Sequence, residues 1–308
     1  METIIGQDEG NRGMKDLIVP NDLEKAATIL TNLNLLKKSS RSDDEPPHVL
    51  ILSGFPCCVD KNPPTETDGP PGAIAIAKCC LALGYKVTLV TDESNQVVFT
   101  AAAEPYLNQI HLEIFPAEMS TEDDRRLDTL THSCDLIVSC ERAGPAEDGI
   151  CRTMRGIDMN AKNLIAPLHK IVESTRSGQL QTPTPYIAIG DGGNELGMGK
   201  VIDVIRDKIP NGKLIGAVTA ADYLIAASVS NWGGYALCAA CAVLMNQYSE
   251  EKQWRDKCIP SIEEEIELLN RCVAVGCRDG VSGLMEATVD GMPLDTSMKC
   301  LEQLRNTV

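Results

Sequence analysis

The fold is decided by three consecutive segments: the apolar run Val49-Leu-Ile-Leu-Ser53, the helical pattern Ala73 to Leu83 closed by Gly84, and a second apolar run, Lys86-Val-Thr-Leu-Val90. Short runs rich in aliphatic and β-branched residues are typical of buried strands. A helix between two such strands predicts a βαβ unit, whose strands are parallel.

The same alternation continues along the chain. Further strands are predicted at His111 to Phe115, Asp135 to Ser139, Tyr186 to Ile189 and Leu214 to Val218, with helical stretches between most of them. Continuous apolar strands indicate a sheet that helices cover on both faces. The predicted fold class is therefore α/β, a three-layer sandwich with a mostly parallel central sheet and helical additions at both termini.

The two ends of the chain predict these helical additions. Residues Asn21 to Lys38 have a helical pattern, with Asn21 as a candidate N-cap, and a polar linker at 39–47 follows. Near the other end, Ser261 and Glu264 form a candidate capping box. The predicted organisation is an N-terminal helix and linker, residues 1–47, followed by one α/β domain, residues 48–308.

Composition excludes several classes of function. The 308 residues carry 28 basic and 44 acidic side chains, a formal charge of −16, and no basic stripe that could follow a nucleic acid. No run of 18 apolar residues predicts a membrane span. The 13 cysteines have irregular spacing, which favours buried thiols in a reducing compartment over a zinc site. A homo-oligomer is compatible with this composition.

Glycines concentrate after the predicted strands, where α/β sheets bind their ligands. The segment Gly190 to Lys200 has five glycines in eleven residues, so its backbone N–H groups can approach an anion closely. Glu195 stands where a dinucleotide fingerprint needs glycine, and Val201 follows Lys200 where a phosphate-binding loop needs Ser or Thr. No nucleotide cofactor is expected.

Polar residues on the same rim are the candidate functional groups. Asp191, Asn194 and Glu195 can hold a divalent metal or place an acid or base, although Glu195 can also simply cap the next helix. Glu141 and Arg142 end a predicted strand, and Arg142 either pairs with Glu141 or binds a substrate carboxylate.

Three other segments leave alternatives open. Asp68 is either a helix N-cap or a catalytic acid. Trp232, in the turn Asn231-Trp-Gly-Gly234, is either a buried anchor or a wall of the pocket. The turn Arg278 to Gly283 is a late segment that can return to the site.

Four motifs resemble those of the D-glutamate cyclase family over roughly residues 48 to 290. They are Thr67-Asp-Gly-Pro-Pro-Gly72, Glu141-Arg-Ala-Gly-Pro145, Gly190-Asp-Gly-Gly-Asn-Glu195 and Ser230-Asn-Trp-Gly-Gly234. The resemblance implies a lyase that converts D-glutamate into 5-oxo-D-proline and water without ATP. Because the vertebrate family member is mitochondrial, it implies the mitochondrial matrix. The cytoplasm is the alternative, since the first residues do not read as a targeting peptide.

The roles within such a site are a physical hypothesis. Asp191 or Glu195 removes the amine proton, and Asp68 or Glu141 protonates the leaving oxygen. A divalent metal, Mn or Mg, on Asp191 and Glu195 can replace the proton donor as a Lewis acid. The predicted substrate-binding groups are Arg142, Gly69, Gly190, Gly192, Gly193, Asn194, Asn231 and Trp232.

Two other functions stay open from the sequence. One is ATP-dependent phosphoryl transfer to a small carboxylic acid, with the Gly190 loop around the phosphate. The other is a non-catalytic domain that binds acidic amino acids. Neither nucleic acid nor membrane is an expected partner in any of these readings.

Overall fold

A computed structural model of the chain describes residues 1–7, 13–35, 45–177, 183–248 and 253–308. In this part of the chain, six parallel strands form one sheet in the order β3-β2-β1-β4-β5-β6. The strands are β1 His48–Gly54, β2 Lys86–Asp92, β3 His111–Phe115, β4 Leu136–Arg142, β5 Tyr186–Gly190 and β6 Tyr223–Ala226. The α/β class and the parallel sheet are confirmed.

Helices cover both faces of this sheet. They are α1 Glu2–Ile5, α2 Asp22–Thr31, α3 Pro70–Ala82, α4 Gln96–Ala103, α5 Thr121–Ser133, α6 His169–Arg176, α7 Ile202–Lys208, α8 Gly212–Ile215, α9 Ser230–Tyr248, α10 Trp254–Cys258, α11 Ile262–Ala274 and α12 Leu294–Arg305. None of these helices is both long and apolar enough to cross a membrane.

The core contains three apolar clusters in the described residues, and the two large ones lie on opposite sides of the sheet. Val49 and Ile51 of β1 belong to the cluster with α2, α3, α9 and α12, whereas Leu50 and Leu52 belong to the cluster with α5, α6 and α7. Successive residues of a strand point to opposite faces, so the continuous apolar run is what a strand between two helical layers requires. The predicted three-layer arrangement is confirmed.

The predicted strand Leu214 to Val218 is wrong. Helix α8 ends at Ile215, which is buried, and the last strand begins later, at Tyr223. Asp222 accepts the Tyr186 N–H at 2.8 Å and so fixes the start of β6 beside β5. A short apolar run cannot by itself separate a buried helical turn from a strand.

The predicted N-terminal caps of the two terminal helices, α2 and α11, have different outcomes. At α11, Ser261 Oγ accepts the Glu264 N–H at 3.1 Å and Glu264 Oε2 accepts the Ser261 N–H at 2.7 Å, so the capping box is confirmed. Asn21 does occupy the N-cap position of α2, but its φ is 68° and its side chain makes no cap bond.

Helix α2 ends at Thr31, earlier than predicted, and packs against α9 and β6. Residues 36–44, which include most of the predicted linker, lie outside the described ranges. The division of the chain at residue 47 stays a prediction.

Candidate active site

A cavity of about 490 Å³ lies at the carboxyl ends of β1, β4 and β5. This volume falls within the ~300–1,000 Å³ typical of small-molecule sites. Strands β1 and β4 are neighbours from which the strand order runs in opposite directions, the usual ligand position in such sheets. The acidic side chains that line the cavity are those of Asp60, Glu66, Glu141, Asp191, Glu195 and Asp290.

The loop after β1 brings Glu66 into the cavity with help from the late turn. The Thr67 N–H donates to the Arg278 carbonyl at 2.8 Å, which joins the loop to the turn. Gly280 follows in that turn, and a Cβ added there would lie 1.9 Å from Glu66 Oε2. Only glycine leaves room for the Glu66 carboxyl group, and the predicted return of the turn to the site is confirmed.

Glu141 and Arg142 point into different parts of the rim. Glu141 has a φ of 45°, and the pairing of β4 with β1 shifts by one residue at this point. This irregularity turns the Glu141 carboxyl group into the cavity, where Oε2 accepts the Ser230 hydroxyl at 2.6 Å. A non-glycine residue with positive φ is uncommon and is found at functional sites.

The structure does not support the prediction that Arg142 binds a substrate carboxylate. Its guanidinium group forms a bidentate ion pair with Asp92, with one contact of 3.0 Å, and donates to the Ala166 carbonyl at 2.8 Å. The alternative pairing of Arg142 with Glu141 is also wrong, because Asp92 occupies the guanidinium. Arg142 is 1% exposed and is not among the cavity residues.

The amides of the Gly190 loop bind a carboxylate of the protein itself. Glu195 Oε1 accepts the N–H groups of Asp191 at 3.2 Å and Gly192 at 2.6 Å, and Oε2 accepts that of Gly193 at 2.7 Å. These amides therefore already have an anion, which counts against both a substrate carboxylate and a phosphate at that position. Glu195 orients the loop, and it does not cap α7 as the alternative proposed.

Asp68 and Asn231 connect the starts of helices α3 and α9. Asp68 accepts the backbone N–H groups of Gly69 at 3.0 Å, Ser230 at 2.8 Å and Asn231 at 2.8 Å. The Asn231 side-chain oxygen accepts the N–H groups of Gly69 at 2.9 Å and Gly72 at 2.8 Å. Asp68 thus joins the starts of the two helices and is not among the cavity residues, so its predicted role as an acid is not supported.

Two other predicted substrate-binding side chains have structural partners. Trp232 is buried and donates to the Ser297 hydroxyl at 3.1 Å, which is the anchor role that the sequence left open. Asn194 lines the cavity, but its amide group donates to the Arg152 carbonyl at 2.8 Å.

Burial and mutual repulsion raise the pKa values of two cavity carboxyl groups. The pKa of Glu66 lies well above its usual value because of burial and then because of the charges of Asp290 and Asp68. The pKa of Glu141 is raised in the same way by burial and then by Asp191 and Glu195. Both carboxyl groups therefore favour their protonated forms, which can donate a proton.

The carboxylates form two groups whose candidate ligand atoms lie within 4.8 Å of one another. One group is Asp68, Asp191 and Asp290, and the other is Glu141, Asp191 and Glu195. Carboxylate oxygens are hard ligands that suit Mg²⁺ or Mn²⁺. The residues thus fit the predicted cation, with Asp191 common to both groups.

Several cavity residues were missed by the sequence reasoning. Glu66 immediately precedes the motif that begins at Thr67, whereas Asp290 and Arg155 carried no signal because only the tertiary fold brings them here. Arg155 is exposed, and its Nη2 donates weakly to the Val281 carbonyl at 3.5 Å. Arg155 can therefore supply the positive charge that was assigned to Arg142.

Comparison with known proteins gives two matches. A family described as D-glutamate cyclase-like, C-terminal, matches residues 1–305. The human protein named D-glutamate cyclase, mitochondrial, is 32% identical over 330 residues. That alignment covers 99% of this chain and 50% of the human protein, so the chain spans about half the length of this relative.

Proposed function

The chain belongs to the D-glutamate cyclase-like family, and from that premise we propose that it is a D-glutamate cyclase, a lyase that converts D-glutamate into 5-oxo-D-proline and water. The observation that carries the proposal is the cavity, which places Asp191 beside two carboxyl groups with raised pKa values, Glu66 and Glu141. Lactam formation needs proton acceptors and donors of this kind around one small substrate.

The substrate is an amino acid with one positive and two negative groups. In this proposal Asp191 and its neighbouring carboxylates bind the ammonium group, and Arg155 binds the α-carboxylate at the cavity wall. The γ-carboxyl group then lies toward Glu66 and Glu141. Holding the flexible chain in its ring-closing conformer supplies part of the rate, for which ~7–11 kcal/mol is an upper range.

The protons lost by the substrate nitrogen equal those gained by the leaving oxygen. The nitrogen attacks the γ-carboxyl carbon, the C–N bond forms and one C–O bond breaks. The ammonium group loses two protons in becoming the lactam N–H, and the leaving oxygen gains two in becoming water. Asp191 accepts protons from nitrogen, whereas Glu141 and Glu66 donate protons to the leaving oxygen and are then reprotonated.

A divalent cation is the alternative to the proton donors in this arrangement. Mn²⁺ or Mg²⁺ would be held by Asp191 together with Glu141 and Glu195, or with Asp68 and Asp290. Such an ion supplies a Lewis acid that polarises the γ-carboxylate. Metal analysis of the purified protein, and activity before and after chelation, test whether the ion is part of the enzyme.

The reaction itself is tested with the purified chain, D-glutamate and no ATP, by mass spectrometry for 5-oxoproline. L-Glutamate is the matched control substrate. Product from D-glutamate without ATP supports the proposal. Product only in the presence of ATP would indicate phosphoryl transfer, and binding of D-glutamate without product would indicate a non-catalytic domain. We also propose a mitochondrial location, because the human relative is named as mitochondrial.

A further inference from the structure

Two adjacent thiols, Cys57 and Cys58, line the cavity. Their sulfur atoms lie 3.9 Å apart, and both side chains are partly exposed. The other eleven cysteines of the chain are buried and form no disulfide. A reagent that reaches the folded protein therefore meets these two thiols before any other, and the mechanism proposed above uses neither of them.

The surroundings shift the pKa values of the two thiols in opposite directions, which makes Cys58 the nucleophile and Cys57 the proton donor. The pKa of Cys58 is lowered by its hydrogen bond with Cys57 and then by the positive charges of Arg278 and Arg155, which outweigh its burial. The pKa of Cys57 is raised by the same hydrogen bond, by burial and by Glu66. Low-pKa, accessible cysteines beside a second thiol are typical of peroxide-sensitive sites.

We propose that Cys57 and Cys58 form a peroxide-reactive dithiol that closes to a disulfide on the wall of the cavity. The Cys58 thiolate attacks one oxygen of hydrogen peroxide, the O–O bond breaks, and hydroxide leaves to give a sulfenic acid. Cys57 sulfur then attacks Cys58 sulfur, the S–O bond breaks, and the oxygen leaves as water after protonation. Two thiols lose two electrons in total, and the peroxide is reduced to two waters.

The disulfide is expected to be reversible. Adjacent Cα atoms lie only about 3.8 Å apart across a trans peptide, less than the roughly 4.4–6.8 Å usual for disulfides. Strained and accessible disulfides are the easily reduced ones, which suits a regulatory bond rather than a structural one. A dithiol reductant such as dithiothreitol should restore the two thiols.

Closure of the disulfide changes the cavity through Glu66. Both side chains lie against Gly280, where a Cβ would be 3.1 Å from Cys57 Sγ and 1.9 Å from Glu66 Oε2, and the Cys57 thiol lowers the pKa of Glu66. Oxidation removes the thiol proton and moves the Cys57 sulfur in this crowded region, so the surroundings of the Glu66 carboxyl group change. The effect on turnover rests on the proposed cyclase function, but formation of the disulfide does not.

The first experiment measures formation of the Cys57–Cys58 disulfide, independently of any enzymatic activity. The folded chain is treated with hydrogen peroxide and then with N-ethylmaleimide, and is analysed by intact mass and peptide mapping. We expect a loss of two hydrogen masses, a disulfide within the Cys57–Cys58 peptide, reversal by dithiothreitol and no such bond in Cys58→Ser. N-Ethylmaleimide on Cys57 and Cys58, oxygen addition without the disulfide, or a bond elsewhere would overturn the proposal.

The second experiment measures the consequence for the cavity. If the cyclase activity is confirmed, D-glutamate turnover of the wild type should fall at least severalfold on oxidation and recover with dithiothreitol. The ratio of activities before and after peroxide should stay near one in Cys58→Ser. A disulfide that forms without changing turnover would overturn the regulatory role, whereas absence of cyclase activity with the disulfide present would overturn only the proposed function.

Discussion

Arg142 and Asp92 form an ion pair between the ends of β4 and β2, and each side chain is only 1% exposed. Asp92 Oδ1 also accepts the Ala166 N–H at 2.7 Å, and Asp92 Oδ2 accepts the Asn95 amide at 3.0 Å. Burial raises the pKa of Asp92, and Arg142 acts in the opposite direction. The pair therefore joins β4 and β2 beneath the rim. Both terminal nitrogens of the Arg142 guanidinium group already have protein partners, so they are not available to a substrate carboxylate.

Replacement of Asp92 by Asn should mainly reduce stability. Loss of one partner of a buried ion pair leaves the other charge uncompensated, which typically costs about 3–5 kcal/mol. Urea unfolding of Asp92→Asn should show a loss of this size. The matched control is Glu122→Gln, because the exposed Glu122–Arg125 pair should contribute less than about 1 kcal/mol. Unchanged stability of Asp92→Asn would contradict the structural role.

Arg155→Ala should weaken binding of D-glutamate without unfolding the protein. A hydrogen bond to a charged group contributes about 1.5–3 kcal/mol, so KM should rise roughly 10- to 100-fold. The side chain is exposed, and the free energy of unfolding should change by less than about 0.5 kcal/mol. Arg125→Ala, on the outer surface of α5, is the control. Equal KM values for the two variants would show that Arg155 does not bind the substrate.

Gly280→Ala tests the position of Glu66. The added methyl group would overlap Glu66 Oε2, so the carboxyl group must move out of its place in the cavity. We expect kcat to fall at least tenfold, about 1.4 kcal/mol in transition-state stabilisation. Ser282→Ala in the same turn should leave kcat within about twofold. A normal kcat for Gly280→Ala would mean that Glu66 takes no part in turnover.

Glu265 should make stability depend on pH near neutrality. Its carboxyl group accepts the Tyr235 hydroxyl at 2.6 Å, and burial raises its pKa from 4.5 to about 7. The unfolded chain releases this proton at lower pH than the folded one. The contribution to stability is therefore complete below about pH 4.5 and is lost as pH rises toward about 7.

Glu265→Gln removes this titration, and urea unfolding from pH 5 to pH 8 measures the difference. The loss in the wild type should be on the order of 3 kcal/mol, at ~1.4 kcal/mol for each pKa unit. The variant should lose much less stability over the same range. Glu267→Gln on the same helix is the control, and identical pH profiles for wild type and Glu265→Gln would refute the assignment.

The sequence predicted those features that depend on local pattern. Strands β1 to β5, the Ser261 capping box and the rim that carries Asp191 follow from apolar runs, glycines and spacing. The predicted strand Leu214 to Val218 was wrong because a short apolar run fits a buried helical turn equally well.

Side-chain direction and distant contacts could not be predicted in the same way. The positive φ of Glu141 turns its side chain away from that of Arg142. No pattern in the sequence predicts this backbone conformation. The Glu195 side chain accepts hydrogen bonds from the backbone of its own loop. Asp290 lines the cavity although it lies far along the chain from the other cavity carboxylates. Each of these depends on tertiary contacts, which a pattern in the sequence does not show.

The central claim is that the cavity carboxylates turn over D-glutamate, and Asp191 belongs to both carboxylate groups. The most direct measurement is the rate of 5-oxo-D-proline formation from D-glutamate by wild type and Asp191→Asn, with exposed Asp203→Asn as the control. Loss of a general acid or base typically costs about 10²- to 10⁴-fold. We predict a loss of that size for Asp191→Asn alone, with all three proteins folded by circular dichroism. Equal rates in wild type and Asp191→Asn, or no product from wild type, would contradict the account.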